Sequence, residues 1–206
     1  MELTVWLGLL ASALFISISP GPGAIFSISQ GTQYGLRRAL FSVIGLQLGL
    51  TSQILFLLFG LGVLIDQFPS IFIVIKVLGM IYLIILGIMQ WFKRIEQIST
   101  PEEEIPVVFS PLKGLLQGFF VNLTNIKGTV FFLALIPLFI NLTALKLSTC
   151  IIFISTLIGI DFLVMMGYVT LAEISKTLLS DPIKILWQNR LTGSTLILVG
   201  LIMGTT

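Results

Sequence analysis

Long apolar stretches separated by short polar breaks run along the whole chain. A helix that crosses a bilayer needs about 20 mostly apolar residues. About six stretches meet or approach that length: residues 3–30, 39–65, 68–92, 115–140, 147–172 and, shorter than the rest, 191–205. Residues 182–189 are expected to form a short amphipathic helix along the membrane interface. The pattern predicts an all-α polytopic membrane protein, with residues 1–206 as a single transmembrane domain.

The polar breaks between the spans predict their orientation. Residues 31–38 form a short basic loop, residues 66–69 a tight turn, and residues 93–113 one long linker. Lysine and arginine gather in cytoplasmic loops. Loops two and four contain only Lys146, whereas loops one, three and five contain Arg37, Arg38, Lys93, Arg94, Lys113, Lys176, Lys184 and Arg190. We therefore expect loops one, three and five in the cytoplasm, and both termini outside a bacterial-type inner (plasma) membrane.

The long loop divides the chain into two halves of three spans each, residues 1–92 and residues 114–206, joined by the cytoplasmic linker 93–113. Because each half has an odd number of spans, the two halves would cross the membrane in opposite directions. Secondary transporters often have this inverted-repeat plan. The segment Gly-Ala-Ile-Phe at 23–26 resembles Gly-Thr-Val-Phe at 128–131, which supports two inverted three-helix repeats.

The composition agrees with a lipid environment and excludes several classes of partner. Hydrophobic residues make up 56% of the chain and charged residues only 10%, against about a quarter in soluble domains. The net charge of +2 is too small for a nucleic-acid-binding surface. Glu2 stands where a signal peptide would be basic, so the first apolar segment is expected to remain as a membrane helix.

Span one contains four consecutive helix-interrupting residues, Pro20, Gly21, Pro22 and Gly23, preceded by Ser19. Two prolines remove two backbone donors and disfavour helix before them, so the helix is expected to break at membrane depth. Such a break is tolerated only where protein or a water-filled cavity covers the backbone. The N-terminus of the following half-helix would suit a carboxylate. A simple proline kink is the alternative, but the cluster favours a binding site.

Span four contains three strongly polar side chains within six residues, Asn122, Asn125 and Lys127. Such groups are costly in lipid. The two asparagines are three residues apart and would share a helix face. One alternative places the stretch at the cytoplasmic edge, where Lys127 would extend to the surface. The position is equivalent to the break in span one, which favours a role in binding.

Span five places one acidic residue, Asp161, near its centre. A central carboxylate costs at least about 2.5 kcal/mol, so it must pair, take up a proton or face water. Lys76 and Lys127 are the other charged residues well inside spans, and Lys76 is a candidate charge partner. A structural ion pair is one interpretation. Proton coupling, or contact with a substrate amine, is the favoured one.

These residues together resemble the LysE/RhtB superfamily of amino-acid exporters over essentially the whole chain. The matching motifs are Pro20-Gly21-Pro22, then Lys76, Gly79, Tyr82, Leu83 and Gly87 in span three, Asn122, Asn125 and Lys127 in span four, Asp161, and the closing Arg190 and Gly193. Ile126 stands where the family has a proline, which removes one reason to expect a break in span four. The resemblance implies a six-span exporter of amino acids or related metabolites, driven by the proton gradient.

The leading hypothesis is therefore a secondary transporter that exports amino acids or other small zwitterionic solutes, coupled to protons through Asp161. The alternative is an exporter of small metal cations, although a chain with no histidine and one cysteine has few ligands for transition metals. An enzyme is not expected, because catalytic motifs such as His-Glu-x-x-His and Gly-x-Ser-x-Gly are absent. No cofactor is expected, and the oligomeric state is open, with a homodimer as one option.

Overall fold

The described part of the protein, in a computed structural model, consists of helices and short connections. It comprises residues 2–19, 21–67, 69–92, 109–142 and 144–174, with five isolated helical residues between 190 and 201. The helices are α1 (Leu3–Ile18), α2 (Pro22–Gln67), α3 (Pro69–Trp91), α4 (Pro111–Leu123), α5 (Ile126–Phe139) and α6 (Leu147–Ile174). The predicted all-α fold class is confirmed. The predicted interfacial helix 182–189 lies outside the described residues, as does most of the predicted sixth span 191–205.

The first predicted span is broken where the sequence indicated. Helix α1 ends at Ile18, and Ser19 adopts an extended conformation with φ −67° and ψ 116°. Helix α2 begins at Pro22, whose fixed φ suits the first position of a helix and whose missing N–H would lack a helical partner there in any case. Pro20 lies outside the described residues. Residues 19–21 are called break one below.

A single glycine replaces the predicted basic loop at 31–38, so that prediction was wrong. Helix α2 has 46 residues and departs from helical geometry only at Gly35, with φ 72° and ψ 173°. Glycine reaches this left-handed region without steric cost, so one residue is enough to turn the chain. The Ser42 hydroxyl donates to Gln30 Oε1 at 2.8 Å. In a straight helix, Gln30 and Ser42 would be about 18 Å apart. The two limbs of α2, residues 22–34 and residues 36–67, therefore fold against each other.

The predicted fourth span is also broken, although Ile126 stands where a proline was expected. Helices α4 and α5 meet at residues 124–125, called break two below, with an angle of 55° between their axes. Helix α4 begins at Pro111, inside the predicted linker, because Ser110 caps it and proline suits its first turn. Residues 93–108 of that linker lie outside the described residues.

Two helices, Pro22–Gly60 and Leu147–Ile174, are long and apolar enough to cross a membrane, and the bent pair of α4 and α5 makes a third candidate among the described residues. Helix α1 is a shorter apolar helix that approaches α2 across break one. Helix α3 has 23 residues, which corresponds to a length of about 34 Å.

Contacts along the helices fix their relative directions. Trp6 Nε1 donates to Thr156 Oγ1, and further along both helices the Tyr168 hydroxyl donates to the Ile18 carbonyl, so α1 and α6 run in parallel. Gly8 lies beside Phe139, and Gly23 beside Asn122, so the broken pair α1–α2 runs antiparallel to the broken pair α4–α5. This arrangement is the one that two inverted halves require. The repeat and the side of the membrane that each end faces remain predictions.

Two apolar cores lie on either side of the breaks. One joins α1, the second limb of α2, α5 and α6: Leu9, Ala13, Leu50, Ile54, Leu57, Leu58, Phe131, Phe132, Leu135, Ile136, Ile140, Phe153 and Leu157. The other joins both limbs of α2 with α6: Ala24, Ala39, Val43, Leu46, Met165, Tyr168 and Val169. The polar residues of the breaks are thus enclosed between two packed apolar clusters.

The second limb of α2 and helix α4 are in direct backbone contact. A Cβ atom at Gly45 would lie 2.0 Å from the Leu115 carbonyl oxygen, and one at Gly118 would lie 2.1 Å from the Ser42 carbonyl oxygen. Small residues allow membrane helices to approach this closely. The glycines therefore set the distance between these helices.

We expect Gly45→Ala to destabilise the protein by about 1–3 kcal/mol, because the added methyl group forces two backbones apart. Thermal unfolding of purified protein in detergent would measure the loss as a lower Tm. Gly60→Ala on the same helix is the control, since a Cβ there meets no described atom within 4 Å. Equal Tm values for the two variants would contradict the close contact.

Candidate functional site

A small polar cavity lies where the two breaks meet. Its volume is about 50 Å³, enough for a few water molecules. Its walls are formed by Ile16, Ser17, Ser19, Gly21, Gly23, Ala24, Leu50, Gln53, Asn122, Asn125, Lys127, Gly128, Phe132, Leu157, Asp161 and Met165. Both breaks, the second limb of α2 and the middle of α6 therefore contribute to one site.

Lys127 connects the two breaks. It lies in the first turn of α5, and its Nζ donates to the Ser19 carbonyl oxygen at 3.0 Å and to the Ser19 hydroxyl. A Cβ at Gly21 would lie 3.5 Å from the same nitrogen, at ordinary van der Waals distance, so the ammonium group also lies close to the backbone of break one. The alternative of a lysine extended to the membrane surface does not match this inward position.

Neutral amides hold break two in place. The Asn125 side-chain oxygen accepts from the Gly128 N–H at 3.3 Å and caps α5, which explains how this helix begins without a proline. Asn122 is buried, and its Nδ2 donates to the Leu46 carbonyl of α2 at 2.9 Å. The Asn125 Nδ2 donates in turn to Asn122 Oδ1 at 3.4 Å.

Asp161, in the middle of α6, also lines the cavity and has two neutral donors. Its Oδ1 accepts from the Ser17 hydroxyl and its Oδ2 from Gln47 Nε2, each at 2.9 Å. The carboxylate therefore does not rely on a direct ion pair with Lys127, which donates to Ser19 instead.

Sequence reasoning missed three residues that complete the site. Gln47 orients Asp161, and Gln53 donates through Nε2 to the Asn125 carbonyl at 3.2 Å and to Thr129 Oγ1 at 2.7 Å. Tyr168 donates to the Ile18 carbonyl at 2.6 Å. Two glutamines inside an apolar span were a usable signal, because amides are costly in lipid.

The structure brings most of the predicted site residues together. Those that line the cavity are Ser19, Gly21, Gly23, Asn122, Asn125, Lys127 and Asp161, and Pro22 begins the helix beside them. Lys76 lies in α3, and its side chain is outside the described ones. Within the described ranges, no group of three histidine, cysteine, aspartate or glutamate side chains is close enough to hold a metal ion.

Discontinuous helices that enclose a polar site inside an all-α membrane protein are characteristic of secondary transporters. Comparison with known families agrees with this architecture. Residues 14–206 match the family of LysE type translocators, and the chain belongs to that family. It is therefore a membrane transport protein and not an enzyme.

Several relatives are similar over long stretches. A Vibrio cholerae protein described as an uncharacterized membrane protein is 35% identical over 205 residues, which cover 100% of this chain and 98% of that protein. A homoserine/homoserine lactone efflux protein of Salmonella typhimurium is 34% identical, covering 97% of this chain and 96% of its own. A leucine efflux protein of Klebsiella pneumoniae is 29% identical, covering 68% and 65%. No solved structure matches the chain significantly.

The cap of α5 gives a direct test of break two. Asn125→Ala should lower the free energy of unfolding by about 1 kcal/mol, because the Gly128 N–H loses its acceptor. Asn125→Ser, which retains a capping oxygen, should recover most of that loss. Thermal unfolding in detergent compares the two variants, and an unchanged Tm for Asn125→Ala would show that the cap does not stabilise the break.

Proposed function

We propose that this protein exports amino acids or related small zwitterionic metabolites across the inner membrane, in exchange for protons. The observation that carries the proposal is a cavity between the two helix breaks that is lined by both Lys127 and Asp161. A zwitterion has the complementary pair of charges. The relatives named as homoserine and leucine efflux proteins support an amino acid as the solute and outward movement as the direction.

The carboxylate of the solute would bind at the Lys127 side of the cavity. Lys127 provides a positive charge, and both α2 and α5 begin beside it, at Pro22 and Ile126. The free N–H groups and the positive end of each helix dipole favour an anion at that position. The carboxylate of the solute would replace Ser19 as the hydrogen-bond acceptor of Lys127, so the ammonium group has an acceptor both with and without the solute.

The proton would be exchanged at Asp161, the one acidic side chain among the described residues that line the cavity. A carboxylate inside a membrane transporter is suited to carry a proton, because it can be protonated and neutral when shielded from water and charged when it faces water. We propose that Asp161 is neutralised alternately by a proton and by the amine of the solute. In the predicted orientation, the proton enters from outside while the solute leaves.

The cavity must enlarge during transport, because about 50 Å³ holds only a few water molecules. The breaks are the natural hinges, since the chain there already departs from helical geometry. Opening toward one side at a time, around a site near mid-membrane, is the general mode of transporters with discontinuous helices.

Counterflow in proteoliposomes tests the transport function itself. Vesicles loaded with unlabelled leucine or homoserine should accumulate the labelled amino acid transiently, and an imposed pH gradient should drive net movement. Saturable uptake in vesicles with the protein, and none in empty vesicles, is the expected result. A folded protein that moves none of a panel of amino acids would overturn the proposal.

Lys127→Met should raise the KM for the amino acid about tenfold or more, because a charged hydrogen bond to the carboxylate is lost. Counterflow rates at several solute concentrations give this KM. Lys113→Met, in the exposed first turn of α4, is the matched control and should leave the KM unchanged. A normal KM in Lys127→Met would place the carboxylate elsewhere.

Asp161→Asn should abolish movement driven by the pH gradient, because an amide cannot exchange a proton. The measurement is accumulation of labelled leucine or homoserine with and without the gradient. Glu173→Gln, an exposed carboxylate near the end of the same helix, serves as control. Full gradient-driven accumulation in Asp161→Asn would refute its role in coupling.

A further inference from the structure

We infer that one side of the cavity is a subsite for the side chain of the solute, and that the protein therefore selects amino acids with an aliphatic side chain. The subsite consists of four apolar residues that line the cavity, one from each of four helices: Ile16, Leu50, Phe132 and Leu157. These four residues are called the apolar wall below. The inference rests on the proposed function, which gives a position to both charged groups of the solute but none to its side chain.

The first observation is that all four side chains of the apolar wall belong to one core. Leu50, Phe132 and Leu157 are members of the core that joins α1, α2, α5 and α6, and Ile16 packs against it. Leu157 and Phe132 are only 2% and 4% exposed. The apolar wall is thus the face that this core presents to the cavity, and a side chain bound against it would be removed from water.

The second observation is the position of the apolar wall relative to the charged residues. Leu157 precedes Asp161 by one helical turn, so both project from the same face of α6. Phe132 follows Lys127 along α5, which runs antiparallel to α6. Both apolar residues are therefore displaced from the charged groups in the same direction along the helix axes. A zwitterion held by Lys127 and Asp161 would have the apolar wall beside it.

The opposite end of the cavity is already filled by packed groups. Met165 follows Asp161 by one turn, and a Cβ at Gly23 would lie 3.8 Å from its sulfur atom and 3.6 Å from Asn122 Oδ1. Asn122 also donates to the Leu46 carbonyl, so widening the cavity there would break a hydrogen bond. The hydrocarbon side chains of the apolar wall can change rotamer without losing one. The side chain of the solute is therefore accommodated at the apolar wall.

The chemistry of the apolar wall decides which side chains it accepts. Its four side chains contain no nitrogen or oxygen, and the neighbouring Gln53 directs its amide nitrogen to Asn125 and Thr129 of break two. A charged side chain would be buried there without a partner, which is costly. Each methylene group that the solute buries there is instead favourable, and should raise kcat/KM by about threefold or more.

The test measures kcat/KM in proteoliposomes for four labelled amino acids whose straight side chains lengthen by one methylene group at a time: alanine, 2-aminobutyrate, norvaline and norleucine. In the wild-type protein each step should raise kcat/KM by about threefold or more. Leu157→Asn should reduce the increase to about 1.5-fold or less per step, because an amide replaces apolar surface. If Leu157 served stability alone, this variant would lower all four values by one common factor, and an unchanged increase per step refutes the subsite.

Leu163→Asn is the matched control, because it makes the same substitution on the same helix outside the cavity. Leu163 is 66% exposed and does not line the cavity. Its increase per methylene group should equal that of the wild-type protein. An equal loss in Leu163→Asn and Leu157→Asn would show that the effect does not come from the apolar wall.

Phe132→Leu tests the size of the same subsite with a substitution that remains apolar. The shorter side chain leaves space for a larger solute, so kcat/KM for phenylalanine relative to norleucine should rise about threefold or more. An unchanged ratio would mean that Phe132 does not limit the solute and would contradict the subsite. Should Leu157→Asn not fold, the ratio in Phe132→Leu decides alone.

The outcomes also separate this inference from the proposed function. If the wild-type protein transports all four amino acids with equal kcat/KM, the subsite is wrong while amino-acid transport stands. If the folded wild-type protein moves none of them, and neither leucine nor homoserine, both the proposed function and the subsite fall.

Discussion

The backbone groups freed at two helix breaks must find partners inside a membrane protein, where lipid offers none, and the rest of the site depends on this constraint. At break one, the Ile18 carbonyl accepts from Tyr168 and the Ser19 carbonyl accepts from Lys127. At break two, the Asn125 carbonyl accepts from Gln53, and the Asn125 side chain caps the next helix. Each break thus has at least one backbone carbonyl that accepts from a side chain distant in sequence.

The two breaks are satisfied by different chemistry, and this difference bears on function. Break two is held by neutral amides whose N–H groups donate within the protein. Break one is held in part by a cation, Lys127, which donates to the Ser19 carbonyl. An anionic ligand that replaced this carbonyl would neutralise the charge of the ammonium group. In the proposed mechanism, the ammonium group that stabilises break one is the one that binds the carboxylate of the solute, so solute binding would be coupled to movement at break one.

The sequence could predict break one better than break two or the turn at Gly35. Consecutive prolines and glycines predicted break one, whereas the three polar residues within six in span four predicted a role in binding and not a break. The capping oxygen of Asn125 does the work that the expected proline would have done, so Ile126 did not prevent the break. The turn at Gly35 escaped prediction because polar residues around it resembled a loop, and the roles of Gln47 and Gln53 depend on which neighbour each helix face meets.

The direct backbone contact between the second limb of α2 and α4 has a mechanical consequence. Two helices whose main chains touch at glycines cannot slide or rotate past each other without a collision between carbonyl groups and Cα atoms. The second limb of α2 and α4 therefore move as one rigid unit. Any rearrangement that exposes the cavity must therefore move other helices around this rigid pair.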